Sequence, residues 1–300
     1  MEKEELIEKY GEIEKRIVPI KDFLEKNKDC NGYKGLYKGI ITLQSPLVFQ
    51  PEILFIGINA GDGAYNILNP SKNETPLRMI GENEMCFNEF NWFEKGNSRG
   101  HFKITKEKKE WMSFEWYQRD QKINNSFPKR MIDLLYETAK IKFPDEYKVE
   151  KYDHNKEPFW YKNFGKSIMS TNLYPIATTN TKDLNKTLDS LAQEEELKKL
   201  WEETKGNDKD INNWTVRKYF IRRINELIRL VQPKIIVCLG KTAFNDLTYT
   251  NSKDYNGSKL YFIEKKFGDS KVPVIGFSRS GQWSGLIPEI AKEIVEKQLQ

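Results

Sequence analysis

Cysteine is scarce in this chain. There are three, Cys30, Cys86 and Cys238, an odd and widely scattered set. They offer no disulfide framework and no zinc or iron–sulfur spacing, since a cluster as a rule takes four thiolates. Cys238 lies inside an apolar run and reads as a small buried hydrophobe. No metal, iron–sulfur cluster or other cofactor is expected. Long apolar runs are missing too. Nothing approaches the roughly 20 apolar residues that a membrane span needs. The segment Met1 to Lys9 is charged where a secretory signal would be apolar. The expectation is a soluble, cytoplasmic protein with no membrane partner. A strong charge of one sign is also absent. Lys and Arg number 49 against 44 Asp and Glu, a formal surplus of +5. That surplus is compatible with a nucleic-acid partner but does not argue for one unless it gathers on one face.

What the chain does have is core material and flat rings. Its 300 residues allow one large domain or two small ones. Aromatic residues make up 13% of it, and such rings are what nucleobases stack on. Residues 2–28 read as helical, with Leu6, Ile13, Ile17, Ile20 and Leu24 apolar among charges. Pro19 either kinks this helix or divides it. A glycine-punctuated loop follows at Gly32, Gly35 and Gly39. Residues 52–58 read as a buried strand between Pro51 and Gly57. An irregular stretch from about 66 to 127 carries Trp92, Phe93, Trp111, Phe114, Trp116 and Tyr117. Ser126 then caps a helix to about 141. Further strands are expected at 166–174, 234–239, 260–264 and 272–277. Helices are expected at 188–204, 214–231, 241–247 and from 288 onward. Apolar strands alternating with amphipathic helices imply an α/β fold, with a mostly parallel sheet covered on both faces.

In open α/β sheets ligands bind at the carboxyl ends of strands, and four segments leave such ends here. The first is Gly57-Ile58-Asn59-Ala60-Gly61-Asp62-Gly63-Ala64-Tyr65. Its glycines let backbone approach a neighbour closely and expose N–H groups. It lacks the Lys-Ser/Thr of a P-loop and the Rossmann spacing, so a plain tight turn stays open beside a ligand loop. The second is Thr171-Asn172-Leu173-Tyr174-Pro175, where the Asn172 carboxamide offers an acceptor and two donors in one plane. A turn or cap role for Asn172 is the alternative. The third, residues 233–243, reads alone as a buried strand feeding a helix at Lys241. The fourth is Gly276-Phe277-Ser278-Arg279-Ser280-Gly281-Gln282-Trp283-Ser284. Arg279 suits a phosphate and Trp283 suits a wedge in a base stack. Each also has an ordinary surface or packing explanation. His101 and His154 fall in none of these segments.

Taken together and in this order, the four segments resemble the uracil-DNA glycosylase superfamily. The first is similar to the Gly-Ile/Met-Asn-Pro-Gly motif of its mismatch-specific and single-strand-selective branches, with Ala60 where those carry proline. Asn172 matches the base-reading Asn after a central strand. Residues 233–243 look like its Pro-x-hydrophobic strand ending in Leu-Gly-x-x-Ala. The fourth resembles its His/Asn-Pro-Ser-Gly motif. Ser278 and Arg279 replace the first two residues there, while Ser280 and Gly281 match. The resemblance covers about residues 50–66 and 165–298. It implies a three-layer α/β/α sandwich forming a single domain over 1–300, with a helical extension over 1–45 and an insertion at about 66–165.

The same resemblance implies a monofunctional DNA glycosylase, acting as a monomer, that hydrolyses the N-glycosidic bond of a flipped uracil-like or modified pyrimidine and leaves an abasic site. Asn59 would orient the attacking water. Gly57, Ile58, Ala60, Gly61 and Tyr65 would line the base pocket, and Asn172 would pair with the base edge. Ser278 would stand where a histidine normally donates to the base, a hydroxyl in place of a cation. Asp62 is either a compensating base or a loop residue bonded to its own backbone. Lys241, Arg279, Ser280, Gly281, Gln282 and Trp283 would face DNA. The aromatics of the insertion would form a satellite core, or wall a larger pocket, as in members that remove bulky modified cytosines from phage DNA. Two other classes stay open: a catalytically silent DNA-binding module on the same fold, and an unrelated α/β enzyme holding a nucleotide at the Gly57 loop.

Overall fold

A computed structural model of the chain describes residues 1–37, 39–43, 47–59, 77–78, 126–145, 168–207, 210–250, 259–278 and 283–298. The aromatic segment 92–117, both histidines and Cys86 lie outside the described residues. The chain divides into two compact units. One comprises Met1–Phe49, Gly57–Phe87 and Thr171–Val231; the other comprises Gln50–Ile56, Asn88–Ser170 and Gln232–Gln300.

The first unit is mainly helical. Pro19 divides the N-terminal helix rather than kinking it. Helix α1 spans Lys3–Glu14 and α2 spans Val18–Asn27 with the proline in its first turn, where a missing N–H costs no hydrogen bond. Strand β1, Gly39–Ile41, lies where only a loop was expected. It pairs in parallel with β3, Leu77–Arg78, and antiparallel with β5, Ile176–Ala177. The expected helix over 188–204 is instead two helices. Helix α4 runs Thr181–Ala192 and α5 runs Lys198–Lys205, parted by a 3-10 turn at Glu195–Leu197. The start of α4 is set by Asn180, whose side-chain oxygen accepts the Asp183 N–H at 3.0 Å, satisfying a donor that the helix cannot.

Helix α6, Asn213–Val231, carries the predicted apolar face of Val216, Phe220, Ile224, Leu227, Ile228 and Val231. Tyr219, Ile221 and Arg223 are buried as well, because α1, α4 and α5 all pack on it. Trp201 of α5 meets Tyr219 edge-on at 5.3 Å and donates its indole N–H to the Leu191 carbonyl at 2.9 Å. That bond satisfies the polar end of an otherwise apolar payload. Arg223 lies fully inside and donates from Nη2 to Tyr10 Oη at 2.9 Å and to the Thr42 carbonyl at 2.8 Å.

The larger sheet has the order β4-β2-β6-β8-β7. Its strands are β2 (Ile53–Asn59), β4 (Ile168–Tyr174), β6 (Ile236–Cys238), β7 (Leu260–Phe267) and β8 (Ser270–Phe277). β2, β6 and β8 are parallel, in the register Phe55↔Val237↔Ile275. β7 and β8 form an antiparallel hairpin, so the sheet is mixed and mostly parallel, as an α/β protein requires. The hairpin closes over two residues. The first, Gly268 at φ +65°, has the left-handed backbone that a tight primed turn assigns to glycine.

In the second unit helices cover both faces of these strands. Alternate residues Ile53, Phe55, Val237, Ile275 and Phe277 form one core with Leu134, Leu135 and Ala139 of α3 (Ser126–Lys142) and Ile290, Ala291 and Ile294 of α8 (Ile287–Gln298). On the opposite face Gly276 makes room for Phe244 of α7 (Lys241–Thr248). Burial on both faces is why β2, β6 and residues 272–277 of β8 read as near-continuous apolar runs. Gly240, at φ +134°, turns β6 into α7.

Candidate functional site

β2 ends in Gly57, Ile58 and Asn59. Gly57 is buried, and Ile58 and Asn59 are half-buried. Gly57 does not have a left-handed backbone, so it is not there to make a turn. It is there for space. A Cβ built on it would lie 2.4 Å from Asn172 Oδ1 and 3.9 Å from the Thr171 carbonyl oxygen. The glycine expected to let backbone approach a ligand thus also seats the Asn172 carboxamide.

Asn172 lies in β4, every residue of which is buried, and is itself 2% exposed. Its amide nitrogen has no hydrogen-bond partner among the described residues. A buried donor without an acceptor costs about 1–3 kcal/mol. The turn or cap role is set aside here, because Asn172 sits inside the strand with its side chain turned to Gly57.

Asn59 is held by its nitrogen end. Nδ2 donates to Thr178 Oγ1 at 2.8 Å and to the Ile176 carbonyl at 3.4 Å. Both partners follow Pro175, at the end of the Asn172 segment. The carbonyl of Ile176 can only accept. The Thr178 hydroxyl gives its own proton to the Asn180 carbonyl at 2.9 Å, so toward Asn59 it too must accept. The amide orientation is therefore fixed by chemistry, with Nδ2 on the anchor and Oδ1 on the pole directed away from it. Asn180 is in turn the cap of α4, and its Nδ2 donates to Asp183 Oδ2 at 2.8 Å. Thr178, fully buried, was not expected as a site residue. The signal for its surroundings was there in the run Thr178-Thr179-Asn180-Thr181 followed by Asp183, a cap with an acid three residues on.

Gly57, Asn59 and Asn172 are thus brought together within one unit. In the other unit Ser278 follows β8, half-buried, and its backbone N–H donates to the Lys259 carbonyl at 2.8 Å. Lys241 is exposed at the start of α7. Trp283 opens a 3-10 turn, Trp283–Leu286. Ala60, Gly61, Asp62, Tyr65, Arg279, Ser280, Gly281 and Gln282 lie outside the described residues.

Two groups of the second unit depart from ordinary ionisation. Burial pushes the Cys238 thiol up, which holds it protonated. Burial lowers the Lys265 ammonium to about 8. Lys265 Nζ donates to the Leu247 carbonyl at the end of α7 and lies 4.5 Å from the Tyr249 ring centroid. Among the described residues no group of three or more His, Cys, Asp or Glu could hold a metal ion. Among them, too, no helix is long and apolar enough to cross a membrane. Compared with known proteins, the chain matches no family model and no curated sequence.

Proposed function

We propose that this chain is a monofunctional DNA glycosylase on a uracil-DNA-glycosylase-like fold, hydrolysing the N-glycosidic bond of a pyrimidine flipped out of DNA. The observation that carries the reading is the pairing of Gly57 with Asn172. Strand β4, the end strand in the order of the larger sheet, holds a buried carboxamide whose nitrogen has no acceptor among the described residues, beside a residue that could not be anything larger than glycine without moving it. A carboxamide fixed in one plane reads the edge of a base, and a carbonyl of that base supplies the missing acceptor.

The chemistry follows from the second amide. As the C1′–N1 bond breaks, its electron pair leaves with the base, and positive charge spreads over C1′ and the ring oxygen of the sugar. Water adds to C1′, one of its protons passes to the departing base, and an abasic sugar remains. A neutral amide is too weak a base to take that proton outright. Asn59 instead accepts a hydrogen bond from the water through Oδ1 and aims its lone pair at C1′. Positioning of this kind is a large share of what enzymes supply. In this reading DNA is the partner, and the resemblance assigns its contacts to Lys241 and residues 279–283.

The test is to incubate the protein with single- and double-stranded oligonucleotides bearing uracil or modified cytosines and to score abasic sites by alkaline cleavage. At least one substrate should yield them. Asn59→Ala should lower the rate about 100- to 1,000-fold, the usual cost of losing one preorganised polar group. DNA binding without abasic sites on any substrate would instead mark a silent binding module. Tight binding of free mononucleotides with no affinity for DNA would mark a nucleotide enzyme.

A further inference from the structure

The anchor of Asn59 goes beyond the residues that the resemblance supplies. Thr178 is fully buried, and its one hydroxyl sits between two partners with opposite demands. It donates to the Asn180 carbonyl at 2.9 Å and accepts from Asn59 Nδ2 at 2.8 Å. The far end of this relay is rigid, because Asn180 is tied to Asp183 by two bonds at the first turn of α4. The Ile176 carbonyl, at 3.4 Å from Asn59 Nδ2, is the longer contact of the two and beyond the usual 2.7–3.2 Å range of a good N–H···O bond.

We propose that Thr178 is a positioning residue for the hydrolytic step, holding the Asn59 carboxamide with its oxygen toward the water; the proposal rests on the glycosylase reading. An asparagine amide has two faces of nearly equal shape and opposite polarity. Were it turned over, N–H groups would meet the water. They would take up the lone pair that must attack C1′, and the residue that aids the reaction would oppose it. Thr178 favours the first state, together with the Ile176 carbonyl, because its proton is already committed to Asn180. Thr178 is fully buried, with its hydroxyl taken up by Asn59 and Asn180, so its loss should act on the chemical step and leave base recognition by Asn172 in place.

The test compares Thr178→Val, which keeps the shape and loses the hydroxyl, with Thr178→Ser, which keeps the hydroxyl. On the substrate that the wild type cleaves, Thr178→Val should lower kcat about 10- to 100-fold, the scale of a small misplacement at a reacting centre. KM should stay within about threefold, and Thr178→Ser should restore kcat to near wild type. A readout that needs neither turnover nor a folded valine variant is the Asn59 side-chain amide in wild-type NMR spectra, assigned by its loss in Asn59→Asp. Its protons should exchange more slowly than those of exposed asparagines. Wild-type kcat in Thr178→Val, failure of Thr178→Ser to restore it, a rise in KM that accounts for the loss, or fast exchange of the Asn59 amide would each overturn the proposal. Absence of abasic product from the wild type would overturn the glycosylase reading and this proposal with it. An active wild type with an unimpaired valine variant would overturn this proposal alone.

Discussion

Gly57→Ala tests the geometry at the end of β2 without assuming any activity. Alanine can adopt the backbone of Gly57, which is not left-handed, so the outcome depends on space. The new Cβ would start 2.4 Å from Asn172 Oδ1, where real Cβ contacts almost never fall below 3.0 Å. The carboxamide must retreat by at least the difference, about 0.6 Å. It cannot swing into solvent, because Asn172 is 2% exposed. Forcing a side chain about 30° off its rotamer costs roughly 0.5–1.5 kcal/mol, and overpacking a filled interior runs to about 1–3 kcal/mol. Gly57→Ala should therefore lose about 1–2 kcal/mol in urea unfolding. The decisive measurement is a double-mutant cycle with Asn172→Ala. With the carboxamide gone the obstacle is gone. The same glycine-to-alanine change should then be neutral, or stabilise by about 0.4–1 kcal/mol by restricting the unfolded chain. The coupling expected, the difference between the two backgrounds, is about 1–3 kcal/mol. Additivity within about 0.5 kcal/mol would refute the reasoning, because Gly57 would then be excluding something other than Asn172.

Two further perturbations probe the second unit. Gly276→Ala would place a Cβ 2.5 Å from both Cβ and Cγ of Phe244. These atoms are the stem of the ring, so no rotamer change escapes the clash; a loss of about 1–3 kcal/mol should appear in urea unfolding, and an unchanged midpoint would show that α7 is not seated on Gly276. Lys265 is held by burial near 8, below its ordinary 10.5. The unfolded chain then binds more protons between those values, and stability should rise with pH across that window. In Lys265→Met this rise should flatten, and unfolding profiles of the two proteins that run parallel from pH 7.5 to 10.5 would contradict the shift.

Much of the frame was legible along the chain. β2 and β6 lie in apolar runs flanked by Pro and Gly, β8 is apolar from Val272 to Phe277, β4 is followed by Pro175, and α6 carries a clear 3.6-residue period. Pro19 was legible as a break, though only the structure shows that it begins a helix. The misses have physical causes. β1 and β5 are three and two residues long, too short to show any period. Residues 191–205 are continuously rich in helix formers, so the break near Gln193 left no trace in propensity, while the Thr, Asp, Asn and Ser residues among 181–190 hid the first turns of α4. β7 lies on the sheet edge with Glu264, Lys265 and Lys266 in its second half, so its apolar pattern fades while its ladder continues to Phe267. At the site, Gly57, Asn59 and Asn172 could each be singled out by residue type and strand-end position. The contact between Gly57 and Asn172 could not, since it joins distant parts of the chain. Thr178 could not either, because a hydroxyl in a polar turn means nothing until its two partners are known.

Two polar residues of β4, Thr171 and Asn172, are buried on different terms. Thr171 and Asn172 are neighbours in a fully buried strand and point to opposite faces. Thr171 is satisfied. Its hydroxyl donates to the Thr42 carbonyl at 2.8 Å, the same oxygen that accepts from Arg223, while the Thr42 hydroxyl donates to the buried Glu14. That knot ties β4 to α1 and α6 and needs nothing more to explain it. Asn172 differs, with a nitrogen that finds no acceptor among the described residues. An orphaned buried atom does not by itself argue for a ligand. Arg223 has two such nitrogens, Nε and Nη1, yet is held in place by both bonds of its third. What sets Asn172 apart is the cleared space beside it. A strand shaped by packing alone would fill position 172 with an apolar side chain and would not need glycine opposite. Here a donor has no acceptor among the described residues, and the neighbouring strand is kept bare to seat its side chain, a combination that lowers stability twice over. The glycosylase proposal accounts for it, because there the acceptor is a carbonyl of the flipped base.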